Sequence, residues 1–191
     1  MTLLERKRQL VKDELSHVAA QLIARNGYEE TTVEQIVEAA GVSRRTFFRY
    51  FRSKEDVIVE MITVVGERAI AELATRPAGE PPGVSVRHAL DGMVGDYCAF
   101  PAKSLALTRM ILDTPALRAR YLDRQFEWRR EAAAALARRG DGPADLRYGM
   151  IAGIAFTALD VALVSWAGSE GREDLAELLD QACDLAGLGS L

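Results

Sequence analysis

The sequence predicts an all-α protein with two functional parts, and three observations carry that prediction. Apolar residues recur at helical spacing along nearly every segment, and no stretch shows the period-two alternation of an amphipathic strand. Proline and glycine punctuate the chain at intervals that separate one helix from the next. Residues 32–51, TVEQIVEAAGVSRRTFFRYF, read as two short helices around a tight turn, a helix-turn-helix.

The first helix is expected from about Leu3 to Asn26. Val11, Leu15, Val18 and Leu22 form one buried stripe, and Asn26-Gly27 closes the helix. Arg6, Lys7, Arg8 and Lys12 lie near its first turns, within reach of phosphates or simply solvated. Tyr28 opens the connection, and its ring is expected to pack beneath the helix-turn-helix. Thr32 caps the second helix, along which Val33, Ile36, Val37 and Ala40 recur at helical spacing. Gly41 breaks it where a left-handed residue is wanted, and Ser43 caps the third helix. Phe47 and Phe51 stand one turn apart as anchors, leaving Arg44, Arg45, Thr46, Phe48, Arg49 and Tyr50 to point elsewhere. Ser53-Lys54-Glu55-Asp56 starts the fourth helix as a capping box, and Ile58, Met61, Ile62, Val65 and Ala69 carry it to about Thr75.

Residues 76–83, RPAGEPPG, are the clearest linker, since three prolines and two glycines cannot continue a helix. Five more helices are expected over 84–100, 102–113, 115–139, 143–167 and 172–186. Pro115 and Pro143 stand at the favoured first helical position, and Gly187 follows the last helix. The penultimate helix is apolar nearly all round, so it must be covered on all faces. One side can face its own domain, and the other calls for a partner. The last helix adds a stripe with Leu175, Leu178, Leu179 and Ala182. Two such helices packed on their copies would form a two-fold, four-helix interface, with Gly153 and Trp166 contributing from the penultimate helix.

With 191 residues, 49% of them hydrophobic, the chain is long and apolar enough to bury a real core. A net charge of −4 argues against a generally basic nucleic-acid binder, but its distribution is uneven. Residues 1–58 hold ten Lys and Arg against nine acids, a balance of +1, which leaves −5 for the remainder. From Gly41 to Lys54 there are five cations and no acid, so the positive field is local, as a groove-facing surface requires. Cys98 and Cys183 belong to no metal-ligand or disulfide pattern, and His17 and His88 have no metal-site companions. The N-terminus is charged too early and too evenly for a signal peptide. The most apolar run, 150–164, falls short of the roughly 20 residues of a bilayer span and contains Asp160. A soluble, cytoplasmic protein with no membrane partner is expected, without cofactor or metal.

The segment AAQLIARNGYEETTVEQIVEAAGVSRRTFFRYFRSKEDVI resembles the DNA-binding domain of TetR/AcrR-family bacterial transcriptional regulators. The likeness lies in the Gly-Tyr after the first helix, the Thr-Val start of the second, the Ala-Gly-Val-Ser turn, and an aromatic third helix running into Tyr-Phe-x-Ser-Lys. It covers about forty residues, and the remainder matches the family only in length and helix count. The resemblance implies nine helices, a homodimer through helices 8 and 9, and a ligand cavity within helices 4 to 8. Phe48 departs from the pattern, because many members carry Tyr or another residue there; its base contact would be apolar, as to a thymine methyl. The expected division is a DNA-binding domain over 1–53 and a ligand-binding and dimerisation domain over 54–191, connected by the fourth helix.

Chemistry assigns roles beside the resemblance. Arg45 is the first choice for base readout, since a guanidinium can bind guanine O6 and N7 together, and Arg44 can read a base or clamp a phosphate. Thr46 and Tyr50 offer hydroxyls to phosphates, while Thr32 and Val33 present a helix N-terminus. Ser43 and Lys54 join this DNA-facing set, and Arg49 is balanced between phosphate and solvent. For the ligand, Met93, Tyr97, Arg109, Met110, Asp113 and Phe126 are expected around the cavity, with Phe156 and Asp160 from the penultimate helix. Asp160, a carboxylate in an apolar helix, would receive a cationic ligand or pair with Arg109 or Arg147 as structure. The function expected is a repressor bound to a palindromic duplex operator as a homodimer and released by a small-molecule effector. A helical protein-interaction module and a ligand-independent regulator or activator are the alternatives. No HExxH, ExxH or Ser/His/Asp constellation points to an enzyme, and no catalytic residue is assigned.

Overall fold

Helix caps set the frame of the first part of the chain. The computed structural model describes residues 3–139 and 146–190, and among these it holds nine α-helices, a closing 3-10 turn and no strand. The chain divides into two units, Met1–Thr63 and Val64–Leu191. The first unit holds α1 (Leu3–Asn26), α2 (Val33–Ala39), α3 (Arg44–Tyr50) and the start of α4 (Lys54–Thr75). Thr32 caps α2 through a reciprocal box: Gln35 N donates to Thr32 Oγ1 at 3.2 Å, and Thr32 N donates to Gln35 Oε1 at 2.9 Å. Gly41, at φ 64°, turns the chain, and Ser43 Oγ accepts from Thr46 N at 3.0 Å to begin α3. Leu15, Ala19, Ile36, Val37, Phe47, Phe51 and Val57 form one buried cluster beneath these helices.

At the start of α4 the expected capping box is shifted. Asp56 N donates to Ser53 Oγ at 3.4 Å, but the Asp56 carboxylate reaches back to Arg52 N, at 2.9 Å, one residue before Ser53.

In the second unit α8 (Leu146–Gly168) is central, packing against α5 (Pro82–Ala99), α6 (Pro101–Asp113), α7 (Pro115–Arg139) and α9 (Leu175–Leu185). The linker is shorter than its composition suggests. Pro82 is already helical, because a first-turn proline has no N–H to lose, and Pro101 starts α6 in the same way. The last helix begins at Leu175 rather than near 172, because the Asp174 carboxylate accepts from Ala176 N and Glu177 N at 2.8 and 3.1 Å. Pro143, the expected start of the penultimate helix, lies outside the described residues. With 23 residues α8 is long and apolar enough to cross a bilayer by length and composition, which the count over 150–164 missed. Its Ile151, Ala152, Ala155, Leu159 and Ala162 are instead buried inside the unit.

Candidate nucleic-acid interface and ligand cavity

α3 is a short helix rooted by one face. Phe47 is fully buried and meets Phe51 at 5.7 Å between ring centroids, which fixes the rotation of the helix. Arg44, Arg45, Phe48 and Arg49 are therefore exposed together. The Phe48 ring stands edge-on to Phe47 at 5.3 Å, with the Arg44 guanidinium 5.6 Å above it. Arg44 also pairs with Glu34 at 2.5 Å, both well exposed, a surface contact worth little in water. The Arg45 side chain has no hydrogen bond or ion pair among the described residues. Arg49 Nη2 donates to Tyr50 OH at 2.9 Å, and these two residues line a notch of about 410 Å³ with Lys7 and Arg8. The exposed Thr32 and Ser43 and the half-buried Val33 and Thr46 occupy the two helix starts.

Lys54 is engaged within the first unit. Its ammonium donates to the carbonyls of Tyr28, Thr31 and Glu29 at 2.8, 3.1 and 3.4 Å and lies 4.2 Å from the Tyr28 ring centroid. These bonds tie the start of α4 to the backbone of the α1–α2 connection. The buried Tyr28 packs as expected, and its hydroxyl donates to Glu55. Burial, and then that carboxylate, push the phenol above its ordinary pKa. Burial works to raise the Glu55 carboxyl, but hydrogen bonds from Ser53 and Tyr28 outweigh it and hold it below the usual range. Lys12, for which phosphate contact and solvation both stood open, is paired with Glu60 at 2.7 Å.

The second unit contains a cavity of about 200 Å³ among α5, α6, α7 and α8. Ile111, Leu112, Leu122, Leu163 and Val164 supply its apolar wall, and Tyr97, Thr108, Tyr121, Asp160 and Arg118 its polar groups. Asp160 accepts from Tyr121 OH at 3.0 Å, from Gln125 Nε2, and from Arg129 Nη2 at 3.3 Å. Arg129 also donates to Gln125 Oε1 at 2.8 Å, which closes the network. Burial raises the Asp160 carboxyl above its ordinary range, against the hydrogen bonds of Gln125 and Tyr121 and the charge of Arg129. Burial likewise pushes the Tyr97 phenol up to about 12, with Asp160 adding to the effect.

The structure brings only part of the expected ligand set to this cavity. Tyr97 and Asp160 line it. Met93 and Phe156 are buried in the core, with Phe156 stacked on Trp128 at 6.2 Å. Arg109, Asp113 and Phe126 are exposed and Met110 is half-buried, and none of the four lines the cavity, because α6 and α7 turn other residues inward. The Asp160 partner is Arg129, in place of the expected Arg109 or Arg147. Tyr121, Gln125 and Arg129 recur every fourth residue along α7, a one-face polar signal present in the sequence itself.

The expected interface set also divides. Trp166, Leu175 and Leu179 are buried within the protomer and leave almost no surface for a second copy. Gly153, Leu178 and Ala182 are half-buried, and the space where a Gly153 Cβ would project is open. Beside them, Met150, Val161, Val164 and Leu185 expose large apolar surface.

Residues 15–61 match the bacterial regulatory proteins of the tetR family, and residues 80–189 match the MftR C-terminal domain. The chain belongs to the TetR family. That family consists of DNA-binding transcriptional regulators, not enzymes. This TetR-family chain is 30% identical over 192 residues to a Mycobacterium tuberculosis protein named for a mycofactocin biosynthesis transcriptional regulator, MftR, covering 96% of this chain and 93% of that one. It is 38% identical over 141 residues to the HTH-type transcriptional regulator TcmR of Streptomyces glaucescens. That match spans 71% of this chain and 62% of TcmR, so more than a third of TcmR lies outside it. The Thermus thermophilus repressor FadR, solved in complex with lauroyl-CoA, superposes with a TM-score of 0.62 at 25% identity, covering 94% and 95% of the two chains.

Proposed function

We propose that this regulator is a homodimeric repressor of a palindromic operator, released when a small molecule enters the cavity of its second unit. The observation that carries the DNA-binding half is the outer face of α3. Arg44, Arg45, Phe48 and Arg49 are exposed together on an acid-free helix locked by the buried Phe47. Arg45 reads a guanine through O6 and N7, and Phe48 lies against a thymine methyl. Ser43, Thr46 and the α2 start at Thr32 and Val33 hold phosphates, as do Lys7, Arg8 and Tyr50 around their notch. Residues 1–53 serve DNA in this reading, and residues 54–191 serve ligand and dimer. The site of action is the cytoplasm, where a bacterial operator is found.

Dimerisation uses the exposed stripe of α8, Met150, Gly153, Thr157, Val161 and Val164, with Leu178, Ala182 and Leu185 of α9. These residues recur at three- and four-residue spacing, as two-fold helix packing requires. A dimer presents two α3 helices to successive major grooves, ~34–36 Å apart. Release runs through α4, one continuous helix from Lys54 to Thr75. On the cavity side Tyr121 meets Trp128 edge-on at 6.5 Å, and Trp128 lies directly against Gly66 of α4. A ligand that displaces Tyr121 therefore shifts the packing of α4, with a coupling of roughly 1–3 kcal/mol. The lauroyl-CoA held by the Thermus relative supports ligand control in this fold.

The test is selection of bound sequences from a random duplex pool, then fluorescence anisotropy on the recovered site across a salt series. An inverted repeat and a steep fall of affinity with salt are expected. Binding without sequence preference, or by a monomer, would remove the proposal.

A further inference from the structure

We infer that the cavity selects a compact, uncharged hydrophobe carrying a hydroxyl group, such as a small alkylphenol, over a long acyl chain or a cation. This rests on the effector reading above and specifies the chemistry of the same site.

Size comes first. A cavity of about 200 Å³ is little larger than the ~150 Å³ engineered hole that accepts benzene, and is smaller than the ~300 Å³ at which drug-sized pockets begin. One ring with a short substituent fills it, and a twelve-carbon chain either requires it to grow or runs out of its open side past the exposed Leu122 and Val164, where its apolar length stays in water. The wall of Ile111, Leu112, Leu122, Leu163 and Val164 suits the body of such a molecule.

The polar groups then fix what the molecule carries. Tyr97 and Thr108 are only 9% and 7% exposed, and both line the cavity. Neither hydroxyl has a hydrogen-bond partner among the described residues. Both oxygens keep accessible surface in the cavity, so a ligand that covers them must supply the hydrogen bonds that water would otherwise make, and a bare hydrocarbon cannot. Asp160 completes the set. Its Oδ1 already accepts from Tyr121 and Gln125, whereas Oδ2 accepts from Arg129 at 3.3 Å and has a lone pair left for a donor. The Arg129 charge compensates the carboxylate, so a cationic ligand finds no unbalanced anion there. An anionic group entering this far meets the carboxylate and is repelled. A neutral hydroxyl can donate to Asp160 while accepting from Tyr97 or Thr108. Arg118, held at the rim by donating to Leu112 O at 3.2 Å, would attract an anionic head group outside the cavity, which makes an acyl-CoA the sharpest competitor.

Calorimetric titration of the full chain with 4-propylphenol, propylbenzene and lauroyl-CoA decides among these. The phenol, neutral at pH 7, should bind at least tenfold more tightly than propylbenzene, and more tightly than lauroyl-CoA. The double variant Tyr97→Phe/Thr108→Val should cut the phenol's advantage over propylbenzene to below about threefold with an unchanged circular dichroism spectrum. Equal affinities for phenol and hydrocarbon, tighter binding of lauroyl-CoA, or no phenol binding at millimolar concentration would each overturn the inference. Operator affinity measured in parallel separates the two proposals. Tight phenol binding that leaves DNA bound supports the ligand class and sinks release; DNA release by lauroyl-CoA alone does the opposite.

Discussion

Replacing Gly66 by alanine sets two effects of opposite sign against each other. In the interior of an exposed helix, Gly→Ala stabilises by roughly 1 kcal/mol. At Gly66 an added Cβ would lie 2.2 Å from Trp128 Cε2, 2.4 Å from Cζ2 and 2.6 Å from Nε1. Ordinary contact begins at 3.4 Å, so the indole or the helix must retreat by about 1.2 Å. The indole has little freedom to do so. It is 1% exposed, with Phe156 stacked at 6.2 Å, Tyr121 edge-on at 6.5 Å and the Arg124 guanidinium 5.4 Å away. Overpacking of this kind costs about 1–3 kcal/mol, so the clash should outweigh the helix gain and the variant should be destabilised by up to ~2 kcal/mol. Urea denaturation gives the first reading, and a Trp128→Leu background gives the decisive one. Leucine carries none of the three ring atoms that the new methyl would strike, so there Gly66→Ala should stabilise by ~0.5–1 kcal/mol. Operator affinity should fall in the single variant and return in the double. A Gly66→Ala protein more stable than the parent would refute the close packing of Trp128 on α4 and the relay drawn through it.

Other outcomes rest on the same contacts. Arg45→Ala should lose about 1–3 kcal/mol at the selected operator and relax preference at one base pair, read by anisotropy on single-site variants; uniform loss on all sequences would make Arg45 a phosphate contact. Lys54→Met removes the donor to three carbonyls and should cost roughly 1–3 kcal/mol of unfolding free energy while leaving the salt slope of DNA binding unchanged; a slope lower by ~0.9 would mark a lost phosphate contact. Val161→Glu, on the exposed α8 stripe, should yield monomers by analytical ultracentrifugation with protomer stability within ~0.5 kcal/mol of the parent; a persistent dimer would place the interface elsewhere. Because the folded Asp160 carboxyl is raised, its neutral form is favoured by folding. That stabilisation is complete below the ordinary aspartate range, near pH 4, and is lost as pH rises through the raised value. The stability of the parent relative to Asp160→Asn should therefore decline with rising pH and then level off; a difference that grew with pH would contradict the sign.

The helix-turn-helix was legible because its determinants are local. Thr32, Gly41 and Ser43 act on their own backbone neighbours, and the Phe47–Phe51 spacing fixes the buried face without reference to distant residues. The cavity was less legible because it depends on how α6 and α7 are rotated by packing, which sequence spacing leaves open. Large or charged side chains such as Arg109, Asp113 and Phe126 turned out to be exposed, while Thr108, Tyr121 and Gln125 turned inward. The interface set was divided by a related ambiguity. An apolar stripe on α9 does not say which of its leucines the protomer keeps, and Leu179 is kept while Leu185 is left 91% exposed. Helix starts at Pro82, Pro101 and Leu175 differed by one to three residues, since proline is tolerated in the first turn and the Asp174 cap sets the start of α9.

The bilayer-length span of α8 bears on how the polypeptide is made. Synthesis runs from the N-terminus, so α5, α6 and α7 have left the ribosome before Leu146–Gly168 emerges. The face of α8 that packs on α5, α6 and α7 thus meets a waiting scaffold, while the face covered by α9 waits for Leu175–Leu185 to follow. A lesion in those earlier helices would leave a segment resembling a membrane anchor uncovered during translation, and quality control would meet it before any operator did.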